Sequence, residues 1–155
     1  MTHSEPVIDS DGNKRWYQKS KLHRLDGPAV EYSSGAKYWY QHGLLHRVNG
    51  AAITWGDGEE VWYQHGKKHR VDGPAVENSN GSKWWYQNNQ LHRVNGPAIE
   101  YSDGDNLWYR HGLQHRANGP AVEYTSGRRD WYLNGVQYTE EQFQLLMFVN
   151  SQEAV

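Results

Sequence analysis

The stretch Trp62-Tyr63-Gln64-His65-Gly66-Lys67-Lys68-His69-Arg70-Val71-Asp72-Gly73-Pro74-Ala75-Val76-Glu77 decides the fold, because it is one copy of a unit that recurs at steps of 23 residues. Trp16, Trp39, Trp62, Trp85, Trp108 and Trp131 keep that step, each followed by a tyrosine. So do Gly12, Gly35, Gly58, Gly81, Gly104 and Gly127, and the pairs His23-Arg24, His46-Arg47, His69-Arg70, His92-Arg93 and His115-Arg116. Such a period marks stacked supersecondary units, each too small to bury its own apolar face and so dependent on its neighbours. A residue present in every unit is architectural first. A localised site should show where units depart from the consensus.

Two turn signals punctuate each unit. His42-Gly43, His65-Gly66, His111-Gly112 and Asn134-Gly135 suit two-residue hairpin turns, in which glycine takes positive φ freely. Ser79-Asn80-Gly81 and its equivalents suit a three-residue loop with a glycine bulge. Between them, runs such as Ala29-Val30-Glu31-Tyr32 and Lys37-Tyr38-Trp39-Tyr40-Gln41 have the aromatic and β-branched composition of strands. The Asp/Asn-Gly-Pro-Ala link is a third bend, since proline does not sit in a paired central strand.

A three-residue loop sets Glu31 opposite Lys37, Glu77 opposite Lys83 and Glu123 opposite Arg129, with Thr54 facing Glu60 and Glu100 facing Asn106. No pair sets like charges across antiparallel strands, where they destabilise. The register places Trp39 beside Ala29 on one face and Val30, Tyr38 and Tyr40 on the other. The fold class is an all-β repeat, an antiparallel hairpin ribbon. Two strands per unit in its main sheet give eleven strands and a length of roughly 50 Å, more if His-Arg lies in a third short strand.

The ends break the period, as repeat arrays require. Val7-Ile8-Asp9 is a half-unit, and Thr139-Glu140-Glu141-Gln142 reads as a capping box, followed by Phe143, Leu146 and Met147 at helical spacing. The expected organisation is an N-terminal tail over 1–5, a β-repeat array over 6–138, a capping helix over 139–150 and a tail over 151–155.

Composition narrows the function classes. The chain has 155 residues, 36% apolar by composition, with eight Trp and eleven Tyr against two Phe. Its apolar surface is therefore made mostly of amphipathic rings that tolerate a wet rim. Sixteen basic against eighteen acidic side chains argue against bulk binding to nucleic acid or anionic membrane. The absence of cysteine excludes disulfides and thiolate chemistry. With no apolar run of signal-peptide or membrane-spanning type, a cytoplasmic protein is expected.

The unit resembles the MORN (membrane occupation and recognition nexus) repeat, which also has a 23-residue period, hairpins and an aromatic-rich strand. The matching residues are His65-Gly66-Lys67-Lys68-His69, then Gly81 with Lys83, Trp84 and Trp85, and the resemblance runs from Val7 to Tyr138. This chain departs from the family in its Arg-x-Asp/Asn insertion before Gly-Pro and in its Trp-Tyr pairs. The His-Arg-x-Asp/Asn-Gly-Pro-Ala form is similar to a variant in small phage and bacterial proteins. The resemblance implies partner binding, self-association or lipid-headgroup contact, and a phage or bacterial setting, with host cytoplasm as the location if the chain is phage-encoded.

Candidate chemistry follows from the rows. Equivalent histidines sit ~10 Å apart, too far to share a metal whose ligands lie at ~2 Å, so no metal or cofactor is expected. The arginines either hold phosphates or link to acids such as Glu31, Glu77, Glu100, Glu123, Asp26 and Asp72. The tryptophans either stack on a ligand or form the core on alanine. Departures from the consensus gather in the central units: Trp55 for Tyr, Gly56 for Ser, Ala51 for Pro, Asn78 for Tyr, Trp84 beside Trp85, and Asn88-Asn89 for His-Gly. The candidate binding residues are therefore Trp55, Trp62, Arg70, Trp84, Trp85, Tyr86 and Arg93.

No catalytic motif is present, and a repeated ribbon offers copies instead of one asymmetric constellation. The expected function is a non-catalytic binder that occupies a partner protein's surface, a phage-encoded inhibitor of a host defence or toxin component being the form the resemblance suggests. Two alternatives are a nucleotide sponge using Trp stacking with Arg70 or Arg93, and a MORN-like headgroup or scaffold protein. A single-layer sheet with aromatic rows on both faces also calls for a homodimer or another covering partner.

Overall fold

The computed structural model describes residues 5–153, so residues 1–4 and 154–155 of the expected tails lie outside the described residues. One antiparallel sheet of thirteen strands runs the length of the array, its order following the chain from Val7–Ile8 to Val136–Tyr138. Beside it stand five separate two-stranded hairpins, one per unit, of which Tyr40–Gln41 with Leu44–Leu45 is typical. Each unit thus gives two strands to the sheet and two to a hairpin. The sheet has two strands more than expected, in part because the last unit does not break at its tryptophan. There Arg129–Leu133 runs straight through and pairs with Val136–Tyr138.

The expected turns form as the sequence dictates. His42 and Gly43 both take positive φ, 54° and 84°, in a two-residue turn between paired Gln41 and Leu44. That double left-handed turn matches the twist of the flanking strands. The Ser33-Ser34-Gly35 loop is closed by main-chain bonds from Tyr32 N to Ala36 O and from Gly35 N to Tyr32 O, both 2.9 Å.

Within units the register is the expected one: Glu31 faces Lys37, Thr54 faces Glu60, Glu77 faces Lys83, Glu100 faces Asn106 and Glu123 faces Arg129. Between units the same strands pair again, setting Lys14 opposite Glu31 and Lys83 opposite Glu100. The junction of the second unit with the third sets like charges together, since Glu60 faces Glu77. Glu60→Lys should therefore raise the unfolding free energy by about 0.2–1 kcal/mol, read as a higher urea midpoint at unchanged slope.

The tryptophan main chain forms the corner between sheet and hairpins. Trp39 N donates to Ala52 O at 2.8 Å in the sheet, and Trp39 O accepts from His46 N at 3.0 Å on the hairpin side. Successive hairpins are tied to one another by bonds such as Gly43 N to Leu22 O at 2.8 Å and Arg24 N to Tyr40 O at 3.1 Å. His-Arg itself lies just past the hairpin strand and not within it. The alanines at the corner, Ala29, Ala52, Ala75, Ala98 and Ala121, are fully buried; a larger side chain there would meet the neighbouring strand. On the other face Ile53, Val61 and Val76 form the central core, with Tyr38, Leu45, Trp55, Tyr63, Trp84 and Tyr86 packed on it.

The helix spans Glu140–Glu153, three residues beyond the expected end. Its capping box forms reciprocally: Gln142 N donates to Thr139 Oγ1 at 3.2 Å, and Thr139 N donates to Gln142 Oε1 at 3.0 Å. Phe143 is buried against the last two strands. Leu145, Phe148 and Val149 remain exposed. Among the described residues no helix is long and apolar enough to cross a membrane.

Candidate functional site

Each unit straps its arginine in the same way. The guanidinium carbon lies over the indole of the unit's tryptophan, at 4.0 Å for Arg24 on Trp16, Arg47 on Trp39 and Arg70 on Trp62, 3.7 Å for Arg93 on Trp85 and 3.9 Å for Arg116 on Trp108. Nη1 donates to the main-chain oxygen four residues on, for example Arg93 to Pro97 at 3.0 Å and Arg47 to Ala51 at 3.0 Å. The other side of the guanidinium lies against the glycine of the Asp/Asn-Gly-Pro bend. A Cβ on Gly73 would stand 2.7 Å from the Arg70 guanidinium carbon, and one on Gly96 would stand 3.1 Å from that of Arg93. The bend is therefore glycine because the arginine fills the space a side chain would need.

Carboxylates complete most straps. Arg24 reaches Asp26 and Glu31, at 3.1 and 3.5 Å. Arg70 reaches Asp72 and Glu77 at 3.3 and 2.9 Å, Arg93 reaches Glu100 at 2.5 Å, and Arg116 reaches Glu123 at 2.8 Å. The strap is a local clamp that fixes the loop between the hairpin and the next sheet strand. Gly96 combines the close approach with φ of 133°, so Gly96→Ala should cost about 1–3 kcal/mol of stability, measured by equilibrium urea unfolding.

The histidines link neighbouring units. Nδ1 of His23, His46 and His92 accepts a hydrogen bond from the main-chain N of His42, His65 and His111, at 3.0, 3.1 and 3.2 Å. The paired rings lie 4.4–4.5 Å apart. Accepting at Nδ1 requires the neutral ring with its proton on Nε2. Burial, and then the neighbouring histidine, lowers the pKa of His23, His46 and His92 below 6.5, with Arg110 a further contributor at His92. The unfolded chain then binds more protons than the folded one, so stability rises with pH across this window. The contribution is complete above pH 6.5 and is lost as pH falls through the lowered folded values. A thermal midpoint flat from pH 8.5 to 7 and falling between pH 6.5 and 5.5 is the expected result.

The residues expected to form one binding site are divided between two faces. Trp62 with Arg70 and Trp85 with Arg93 stand in the straps. Trp55, Trp84 and Tyr86 lie on the other face, packed on the central core. There Trp55 meets Tyr38 edge-on at 5.9 Å and Trp84 meets Tyr101 at 5.8 Å. Burial, followed by neighbouring tyrosines, raises the pKa of Tyr40, Tyr63 and Tyr86. Among the described residues no group of three or more His, Asp or Glu is placed to hold a metal ion.

Two features lie outside that expected set. The residue after each His-Arg pair is a loop tip, and Leu25, Val48, Val71 and Val94 are 76, 68, 78 and 61% exposed. They keep the 23-residue step, a periodicity that could have identified them as a row. The second feature is a cleft of about 550 Å³ between the first two His-Arg loops, lined among others by Arg24, Asp26, Trp39, Gln41, His46 and Arg47. No protein-family model matches this chain, and neither does any curated protein.

Proposed function

We propose that the chain is a non-catalytic binding protein that lays its row of His-Arg loop tips on the surface of a partner protein. The exposed aliphatic row Leu25, Val48, Val71 and Val94 carries this reading. At two sheet strands per unit the four tips span roughly 30 Å, a regularly spaced row of the kind that repeat arrays offer to a partner as an extended surface. Each tip follows a strapped arginine, so the row is held rigid before binding and little ordering entropy is lost on contact. The resemblance to phage and bacterial repeat proteins directs the search for the partner to host defence and toxin components, in the host cytoplasm.

A nucleotide sponge is less well supported, because one face of each strap indole is already covered by a guanidinium. Headgroup binding of the MORN-like kind would have to work with a net charge of −2. Native mass spectrometry of the purified protein separates these readings. A protein binder carries no small molecule into the gas phase, whereas a nucleotide released on denaturation would favour the sponge. A second reading, self-association, is favoured by Leu145, Phe148 and Val149, exposed at helical spacing on one side of the C-terminal helix. Light scattering at tens of micromolar should then give a homodimer that Phe148→Asp converts to monomer; a monomeric wild type would remove this reading.

A further inference from the structure

We propose that the cleft between the first two His-Arg loops binds a carboxylate, presented as an Asp or Glu side chain by the partner protein. The inference rests on the reading of the chain as a protein binder. Arg24, Arg70, Arg93 and Arg116 each have an internal carboxylate partner. At Arg47 the two positions that supply such partners are Asn49 and Thr54, and among the described residues Arg47 forms no ion pair. Glu60, which faces Thr54 across the strands, forms no ion pair with Arg47 among the described residues either.

An arginine stays charged throughout the physiological range, and this one cannot turn away to find a counter-ion. Its guanidinium is held over Trp39 at 4.0 Å, against Gly50 on the other side, and by the 3.0 Å bond from Nη1 to Ala51 O. Its faces are covered, and what is left for a ligand is an edge, the part of a guanidinium that grips a carboxylate through two parallel N–H donors. Arg47 lines the cleft of about 550 Å³, which is ample for an acidic side chain. The four sister straps show which anion this geometry accepts, namely a carboxylate. Asp26, paired with Arg24 in the same cleft, adds a negative charge that opposes a phosphate dianion more than a single carboxylate.

The full chain, labelled with ¹⁵N, is titrated with an N-acetylated triglutamate amide and separately with inorganic phosphate, following the arginine Nε–H resonances. The triglutamate should shift Arg47 saturably and leave Arg93 and Arg116 unmoved. Thr54→Glu should weaken that binding about tenfold by supplying the missing internal partner; Thr54 does not line the cleft, so the loss reads charge and not obstruction. Glu100→Thr should make Arg93 a second responding arginine. No saturation at Arg47, equal response of all the strapped arginines, phosphate binding as tight as triglutamate, or an unchanged Thr54→Glu variant would each overturn the proposal. Partner capture by variants at Val71 and Val94 reads the loop-tip row alone, so the two readings fail separately.

Discussion

Trp62→Ala should lower the unfolding free energy by about 3 kcal/mol or more, the largest effect expected of any single side chain in the array. The indole supports the Arg70 guanidinium at 4.0 Å, and its loss removes the cation–π contact together with the packing surface. Arg70 would then hold Glu77 and the Pro74 carbonyl with nothing beneath it. Arg70→Lys should cost about 1–2 kcal/mol, because an ammonium cannot stack flat while donating to both acceptors. Urea unfolding of both variants checks the pair. A Trp62→Ala loss below about 1 kcal/mol would mean that the strap contributes little to stability.

Deletion of Trp62 to Trp84 should leave a folded protein one unit shorter, whereas deletion of Trp62 to Pro74 should abolish cooperative folding. The whole-unit deletion joins Val61 to Trp85, so every later tryptophan still reaches the corner. Residues before and after the cut keep their faces, because the pattern resumes at the equivalent position. The partial deletion removes a hairpin and its strap and leaves its sheet strand without the bend that returns the chain. A register error in a two-sided sheet turns core residues to the surface. Circular dichroism and urea titration distinguish the outcomes, and equal tolerance of both deletions would contradict a modular array.

The period and turn chemistry made most of this architecture legible. Glu31 opposite Lys37 and Glu100 opposite Asn106 could be placed because a three-residue loop leaves one register. The His42-Gly43 turn and the Thr139 capping box are equally local, since each depends on residues within four positions. The contacts between units were less accessible. Glu60 opposite Glu77 depends on how the Asp/Asn-Gly-Pro bend returns the chain, which no short-range rule specifies. The His46 Nδ1 bond to His65 N likewise joins residues 19 positions apart across two hairpins.

The candidate site was only partly legible. Departure from the consensus singles out Trp55 and Trp84, which occupy the face opposite the strapped indoles. It passes over Val48, Val71 and Val94 because these conform to the period. Architecture explains why a residue recurs when it is buried or paired. It does not explain a recurring aliphatic tip that is mostly exposed. A three-residue loop makes Thr54 the strand partner of Glu60, but its consequence for Arg47 depends on the strap geometry.

Capture of the partner by two sets of variants, with thermal midpoints recorded alongside, tests most directly whether the loop-tip row binds while the straps hold it. Val71→Asp combined with Val94→Asp alters exposed tips alone, so the midpoint should stay within about 2 °C of wild type while recovered partner falls at least about tenfold. Arg93→Lys should lower the midpoint and, at temperatures where the array remains folded, reduce recovery less than the double tip variant does, because it loosens one tip without removing its side chain. Undiminished recovery by the double tip variant, at an unchanged midpoint, would contradict the assignment of binding to this row.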